Sequence, residues 1–378
     1  MRSGAKIQQS NGYKAFKPTD LPPDPGIQVD QEMLELNSKA DLAIGRLDSL
    51  GDFIPDAELF VFMYVRKEAV ISSQIEGTQA TLIDVLEFEA GNTSLEKRSD
   101  VDEVVNYINA MNYGLGQIKS NSGLPLSLRM VKEIHRRLLS GVRGHSRTPG
   151  DFRVSQNWIG GTTLTNATYV PPAAHDMQPA LHAFEEYLRD DKNLPPLIRT
   201  ALLHYQFETI HPFLDGNGRV GRLLITFYLC HEGILKQPLL YLSFFLKKHR
   251  QEYYDLLQVV RDTGDYESWI KFFLKGIVET ADEAVKTARS IIQLREQDRS
   301  KMSRLGRGMK RGVILHDKLF TTPAVSVAMV SDIAGLSPAA AGTLISRFVD
   351  LGILTEVTGR QRNRAYNYQA YLDILGSR

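Results

Sequence analysis

The stretch His211-Pro212-Phe213-Leu214-Asp215-Gly216-Asn217-Gly218-Arg219-Val220-Gly221-Arg222 separates two apolar runs. Ahead of it, residues 197–210 place Leu197, Ala201, His204, Tyr205 and Phe207 at helical spacing on one side. Behind it, residues 223–229 are strongly apolar and Gly233 offers a helix stop. The spacing predicts a helix, a short loop and a second helix that the motif itself opens. A helix start exposes free N–H groups and the positive end of the dipole, which together favour an anion. Gly216 and Gly218 carry no side chain, so a phosphate can approach the backbone closely. Arg219 and Arg222 are three residues apart and share a helix face. Two planar guanidinium forks suit an oligophosphate better than a single phosphate. Asp215 beside them is a natural magnesium ligand, since a hard cation takes a carboxylate together with phosphate oxygens. His211 at the loop entrance is the group able to accept a proton near neutral pH. Each feature alone has a plainer reading, as a turn, a structural histidine or a solvated helix face. Their gathering within twelve residues points to a functional site.

The chain around this stretch has 378 residues, a length that suggests two or three domains. With 45 Lys+Arg against 44 Asp+Glu, the net charge of +1 argues against a broadly basic nucleic-acid coat or an acidic disordered tail. The single cysteine, Cys230, excludes an intramolecular disulfide framework and a multi-thiolate zinc site. No apolar run approaches the roughly 20 residues that span a bilayer. The polar first eleven residues lack the apolar region of a secretory signal. A cytoplasmic protein with no membrane attachment is expected.

Working outward, residues 1–30 carry Pro18, Pro22, Pro23 and Pro25 and read as an extended arm. Helical spacing runs from about residue 31 to 141. Asp56 is the expected N-cap of a helix that Gly77 ends, and further helices are expected near 78–89, 101–117 and 127–140. Residues 158–169 alternate β-prone runs with a Gly160-Gly161 turn and suggest a hairpin with no sheet to join. Helices resume from 175 to 275. Residues 278–311 read as a helix entering a basic linker. Beyond it, helices are expected at 327–334 and 338–351, with Ser337 and Pro338 as N-cap and first helical position. A hairpin over 353–368 follows, the pattern of a winged helix-turn-helix.

Residues 211–222 match the signature H-x-F-x-[DE]-G-N-G-R-x-x-R at every specified position, and on this ground the chain resembles the Fic family. The resemblance implies a mainly α-helical Fic core with a β-hairpin flap, plus the C-terminal winged helix. It implies transfer of AMP from ATP, with Mg2+, to a Ser, Thr or Tyr hydroxyl of a target protein. Under it, His211 deprotonates the hydroxyl and Asp215 holds magnesium. Gly216, Asn217 and Gly218 cradle the α- and β-phosphates, and Arg219 and Arg222 bind the outer ones. Ile159 and Gly160 of the flap dock the target by strand addition. Upstream, Ser72-Ser73-Gln74-Ile75-Glu76-Gly77 is similar to the family's inhibitory pattern [ST]-x-x-x-E-[GN]. That similarity implies that Glu76 pairs with Arg222 and keeps ATP from the productive pose. Residues 240–243 and 249–254 also resemble the segment that follows the family motif; many relatives have Asn where His249 stands, and no adenine contact is assigned there.

The expected division is 1–49 as arm and first helix, 50–280 as Fic core with inhibitory helix, 281–311 as helical and basic linker, and 312–378 as winged helix. Expected partners are a target protein with an exposed hydroxyl, the chain itself through self-modification, and a second copy in a homodimer. DNA is a further partner of 312–378, through a wing bearing Arg360, Arg362 and Arg364. The rival reading is a nucleotide-sensing, DNA-binding regulator. Within the enzyme class, AMP removal or transfer of another group are the alternatives.

Overall fold

The computed structural model describes residues 1–10, 12–53, 57–89, 98–120, 122–190, 194–359 and 364–376. Asp56, the expected N-cap, and Arg360 and Arg362 of the expected wing lie outside the described residues. The order of elements is β1 (Gly4–Gln8), β2 (Lys14–Pro18), α1 (Gln31–Phe53), α2 (Ala57–Ile75), α3 (Leu82–Glu89), α4 (Arg98–Lys119) and α5 (Leu128–Leu138). Next come α6 (Ala174–Asp190), α7 (Pro196–Ile210), α8 (Asn217–His231), α9 (Ser243–Lys248), α10 (Arg250–Thr263) and α11 (Tyr266–Met302). A 3-10 turn (Ser303–Gly308) leads to α12 (Met309–Leu319), β3 (Ala324–Ser326), α13 (Val327–Ala334), α14 (Pro338–Asp350), β4 (Thr355–Glu356), β5 (Ala365–Asn367) and α15 (Gln369–Ile374). The fold is mainly α.

α7 is the axis of the molecule. Every residue from Leu197 to Ile210 is buried, so the helix has no solvent face and neighbours on all sides. One apolar cluster surrounds α7 and α8 with α4, α5 and α6, through Val104, Tyr107, Ile134, Phe184, Phe207 and Phe227. The other runs from α1 and α11 into the C-terminal elements, through Ile44, Trp269, Phe273, Ala284, Leu319 and Phe348. Trp269 is fully buried and its indole N–H donates to the Ala201 carbonyl at 2.8 Å, which gives the ring its polar partner.

Residues 1–30 depart from the extended arm expected of them. β1 and β2 pair antiparallel in the register Lys6 with Phe16, and Phe16 is 1% exposed. Burying such a ring contributes about 2 kcal/mol toward holding the hairpin on the body. The prolines expected to keep the arm extended all lie at or beyond the end of β2. The stretch read as a basic linker is likewise packed. Ala281, Ala284, Ala288, Ile291 and Leu294 on α11 are buried, and Asp317 of α12 accepts both Arg295 at 2.9 Å and Arg299 at 3.1 Å.

In the C-terminal unit α13 and α14 cross at 102°. Ser326 and Ser337 cap them, each side chain accepting from the amide three residues on, and Gly335 turns the chain at φ 58°. A three-stranded antiparallel sheet in the order β3-β5-β4 backs them; β3 was not expected from the sequence. Among the described residues no single helix is long and apolar enough to cross a membrane. The bent pair α13–α14 is sufficiently apolar, but Val330, Ala334, Leu344, Ile345 and Phe348 lie buried in its own core.

Candidate active site

α7 stops because His211 turns left-handed, at φ 49° and ψ 60°. For a residue with a side chain this backbone costs on the order of 1–2 kcal/mol, and the surroundings must hold it. The loop is closed by Asn217, whose Oδ1 accepts from the Phe213 N–H and whose Nδ2 donates to the Phe213 carbonyl, both at 2.8 Å. The Asn217 side chain is thus a brace, and only its amide is offered to a ligand. Gly216, at φ 77°, enters α8 in a conformation that a Cβ would strain. The N–H groups of Asn217, Gly218 and Arg219 begin the helix and have no intrahelical acceptor. None of the described residues accepts from them. These three N–H groups are free to donate at the helix start.

Both arginines of α8 are buried and both face a carboxylate. Arg222 donates Nε to Ser72 Oγ at 2.7 Å, and Nη2 to the Ser72 carbonyl at 3.0 Å and to Glu76 Oε1 at 2.6 Å. Ser72 and Glu76 stand one turn apart at the end of α2, and Gly77, at φ 99°, ends the helix there. A Cβ on Gly218 would lie 2.4 Å from Glu76 Oε1. The Glu76 carboxylate therefore covers the first turn of α8, where an anion would sit. Burial alone would raise the pKa of Glu76; the charge and hydrogen bond of Arg222, with Arg219 and His211, outweigh this and lower it. Against the pull of burial, Glu76 raises the pKa of Arg222.

Arg219 turns the other way. Its Nη1 meets Glu103 Oε2 of α4 at 3.2 Å, with side chains 2% and 3% exposed. Glu103 also takes Arg143 at 3.2 Å and the Thr78 hydroxyl at 3.3 Å. Asp215 Oδ1 lies 3.7 Å from Arg219 and accepts the Gly216 N–H at 2.6 Å. Its side chain is 38% exposed, next to the open amides. One accessible carboxylate beside a phosphate site is the donor set that magnesium uses, with water and phosphate oxygens completing the shell.

Three histidines surround the loop and burial keeps each neutral. His211, partly buried, is lowered to about 3 by desolvation and then by Arg261 and Arg153, offset in part by the Glu208 carbonyl and by Glu76. At neutral pH it is a free base. His135 accepts the Gly150 N–H on Nδ1 at 2.8 Å, so its proton sits on Nε2 and donates to the Asp215 carbonyl at 3.0 Å. Its ring stacks on Phe213 at 3.7 Å, and burial lowers its pKa to about 4. His204 contacts the Gly221 carbonyl at 3.1 Å and the Tyr253 hydroxyl at 2.9 Å and braces α8 from behind. Two buried carboxylates flank Arg222. Burial lifts Glu68 and Glu208 to about 7, against the charge of Arg222.

Residues 158–169, expected as a hairpin with no sheet to join, are held by little ladder of their own. A single antiparallel bridge joins Ile159 and Tyr169, with hydrogen bonds of 2.8 and 3.1 Å. Gly160 and Gly161 turn at φ 68° and 66°, and Asn166 Oδ1 accepts the amides of Thr162 and Thr163. Just beyond the segment, the Phe16 N–H of β2 donates to the Val170 carbonyl at 2.9 Å.

The structure thus gathers Ser72, Glu76, His211, Asp215, Gly216, Gly218, Arg219 and Arg222 around one helix start, with Ile159 and Gly160 on the adjoining loop. Sequence reasoning missed Glu103, His135, Arg153 and Asn157. None has a local signal: Glu103 lies 116 residues from Arg219.

The class is defined by a mostly helical body with open amides at the start of α8, His211 beside them and the Glu76 carboxylate against Gly218. Residues 34–116 match the family model of the Fic/DOC N-terminal region, and residues 125–229 that of the Fic/DOC family. The chain belongs to the Fic/DOC family. It is 32% identical over 194 residues to the Protein adenylyltransferase Fic of Aedes aegypti, covering 50% of this chain and 34% of that one. Against the Nematostella vectensis protein of the same name it is 32% identical over 270 residues, 68% of this chain and 56% of that one. The chain therefore spans between a third and just over half of these relatives. The crystal structure of a Fic family protein from Desulfovibrio desulfuricans G20 superposes with a TM-score of 0.58 at 18% identity, over 90% of this chain and 97% of that one. Fic-1 from C. elegans gives 0.53 at 19% identity, over 69% and 74%. Both share the fold.

Proposed function

We propose that the chain is a protein adenylyltransferase that transfers AMP from ATP to a Ser, Thr or Tyr hydroxyl of a target protein, and that Glu76 holds it inhibited. The observation that carries this reading is the Glu76 carboxylate lying over Gly218 and on Arg222, at the helix start whose amides are otherwise open. The names of the relatives support the same chemistry. Gly216, Asn217 and Gly218 cradle the α- and β-phosphates, with the open N–H groups of residues 217–219 as donors, and Arg219 and Arg222 take the outer ones. Asp215 would hold Mg2+, which supplies charge neutralisation on the phosphates when bound. His211, neutral by burial, takes the proton of the attacking hydroxyl. Ile159 and Gly160 align the target strand. With Glu76 in place, Arg222 is denied to the γ-phosphate.

The division 1–49, 50–280, 281–311 and 312–378 belongs to the same proposal. The crossing of α13 and α14 with its backing sheet supports a winged helix in 312–378, a module for DNA or protein contact. Self-modification, a homodimer and a cytoplasmic location complete the reading.

The test is mass spectrometry of the full chain after incubation with ATP and Mg2+. Glu76→Gly is expected to acquire AMP and His211→Ala to acquire none. ATP binding without transfer in Glu76→Gly would replace the enzyme by a nucleotide sensor.

A further inference from the structure

Six consecutive backbone carbonyls, from Glu208 to Phe213, lead out of α7 and through the base. Each receives a donor from outside α7. Arg261 Nη2 donates to the Glu208 carbonyl at 3.3 Å, and the Tyr169 hydroxyl to that of Thr209 at 2.6 Å. Arg153 reaches three in a row: Nη2 to Ile210 at 3.4 Å, Nε to His211 at 3.0 Å and its own N–H to Pro212 at 2.9 Å. Asn157 Nδ2 donates to His211 at 3.3 Å and to Phe213 at 2.8 Å. Arg153 also fastens the other end of its own segment, Nη2 to the Pro172 carbonyl at 2.6 Å.

Arg153 is 1% exposed and Arg261 5% exposed, and none of the described carboxylates lies within ion-pair distance of either. A buried guanidinium without a carboxylate is costly unless something else answers its charge. Here the last carbonyls of α7, the negative end of its dipole, do so. Five of the six donors-to-carbonyl positions are served by residues 153, 157 and 169, which lie at the two feet of the loop bridged by Ile159 and Tyr169. The docking loop and the left-handed turn at His211 are therefore one hydrogen-bonded body.

We propose that Arg153 and Asn157 are positioning residues that hold the His211 imidazole in fixed register with a target strand docked on Ile159 and Gly160, and that the Arg153 guanidinium, bonded to the His211 carbonyl, sets positive charge beside the ring. The proposal rests on the adenylyltransferase reading above. Arg153, Arg261 and Glu76 are the charged side chains that act on the ring, together with the backbone carbonyl of Glu208. Arg153 and Arg261 oppose protonation, and Glu76 favours it. Fork geometry and charge are separable by substitution. Asn157→Ala removes carbonyl contacts and no charge. Arg153→Lys keeps the charge and loses the fork. Arg153→Met loses both.

The experiment uses the full-length Glu76→Gly chain as parent. It combines initial self-modification rates at saturating ATP and Mg2+ with NMR titration of the His211 Cε1 resonance from about pH 8 downward. All three variants are expected to lose roughly tenfold to a hundredfold in rate, with the KM for ATP within about twofold of the parent. The onset of His211 protonation moves up by about one pH unit in Arg153→Met and stays in place in Arg153→Lys and Asn157→Ala. An unchanged rate in Arg153→Lys and Asn157→Ala, an equal rise in the KM for ATP, or an unmoved titration in Arg153→Met overturns the proposal. If Arg153→Met does not fold, the other two variants still decide the positioning role. If the parent transfers no AMP, the adenylyltransferase reading fails, while the titration still reads the charge effect.

Discussion

Arg219 and Arg222 leave the same turn of α8 and both end on a glutamate, yet the two pairs are built for different ends. Glu103 is 3% exposed, sits in mid-helix on α4 and is shared among Arg219, Arg143 and Thr78. Glu76 is 32% exposed, stands at the last turn of α2 before a glycine, and has Arg222 as its hydrogen-bond partner. Removing a partner from a fully buried pair leaves an unanswered charge with no water to take it. Removing a partly exposed carboxylate leaves Arg222 with Ser72 Oγ and the Ser72 carbonyl, and opens its face to solvent or ligand. The first pair is a brace, and the second is, on the proposed reading, a lid that an anion replaces.

The comparison breaks most easily on stability. Glu103→Ala is expected to cost about 3–5 kcal/mol, read as a lowered midpoint in denaturant, together with loss of AMP transfer as Arg219 goes astray. Glu76→Gly should cost no more than about 1 kcal/mol. Comparable losses for the two would erase the distinction drawn here. The next effect is on rate. Glu76→Gly should raise self-modification tenfold or more, by about the 1.4 kcal/mol that a tenfold change represents, whereas no substitution at Glu103 should raise it. Ser72→Ala removes the hydrogen bond that seats Arg222 beside the lid. A rise of roughly threefold is expected, measured by mass spectrometry on the otherwise unaltered chain.

The smallest effect is with pH. Arg222 lowers the pKa of Glu76 below its ordinary value, so the ionised pair contributes above the unfolded pKa and is lost as pH falls through the folded one. The ratio of Glu76→Gly to wild-type rate should therefore stay flat from about pH 6 to about pH 8. A lid that loosened across neutrality would show instead as a falling ratio toward the acid side.

Much of this is legible in the amino-acid order. The helix–loop–helix around His211 follows from apolar spacing and from the glycines between the two apolar runs. Ser337-Pro338 and Gly335 marked the later helices because caps act within one turn. The inhibitory stretch was legible as a pattern, though not as an object lying on Gly218. The N-terminal hairpin was not legible, because two five-residue strands take their register from packing against Tyr169 and Val170. Nor was the role of residues 278–311, since a run of arginines reads as solvated until Asp317 and Asp298 are seen beside it.

The amino-acid order by itself determined what is local: which segments wind into helices, where they stop, and that a glycine-flanked helix start follows His211. Tertiary structure alone decided which carboxylate faces which arginine, how the Asp215 loop is stapled by His135, and how carbonyls 208–213 are held. Those pairings join residues scores of positions apart, and their strength comes from the exclusion of water. Burial is a property of the assembled fold, so no window along the chain contains it.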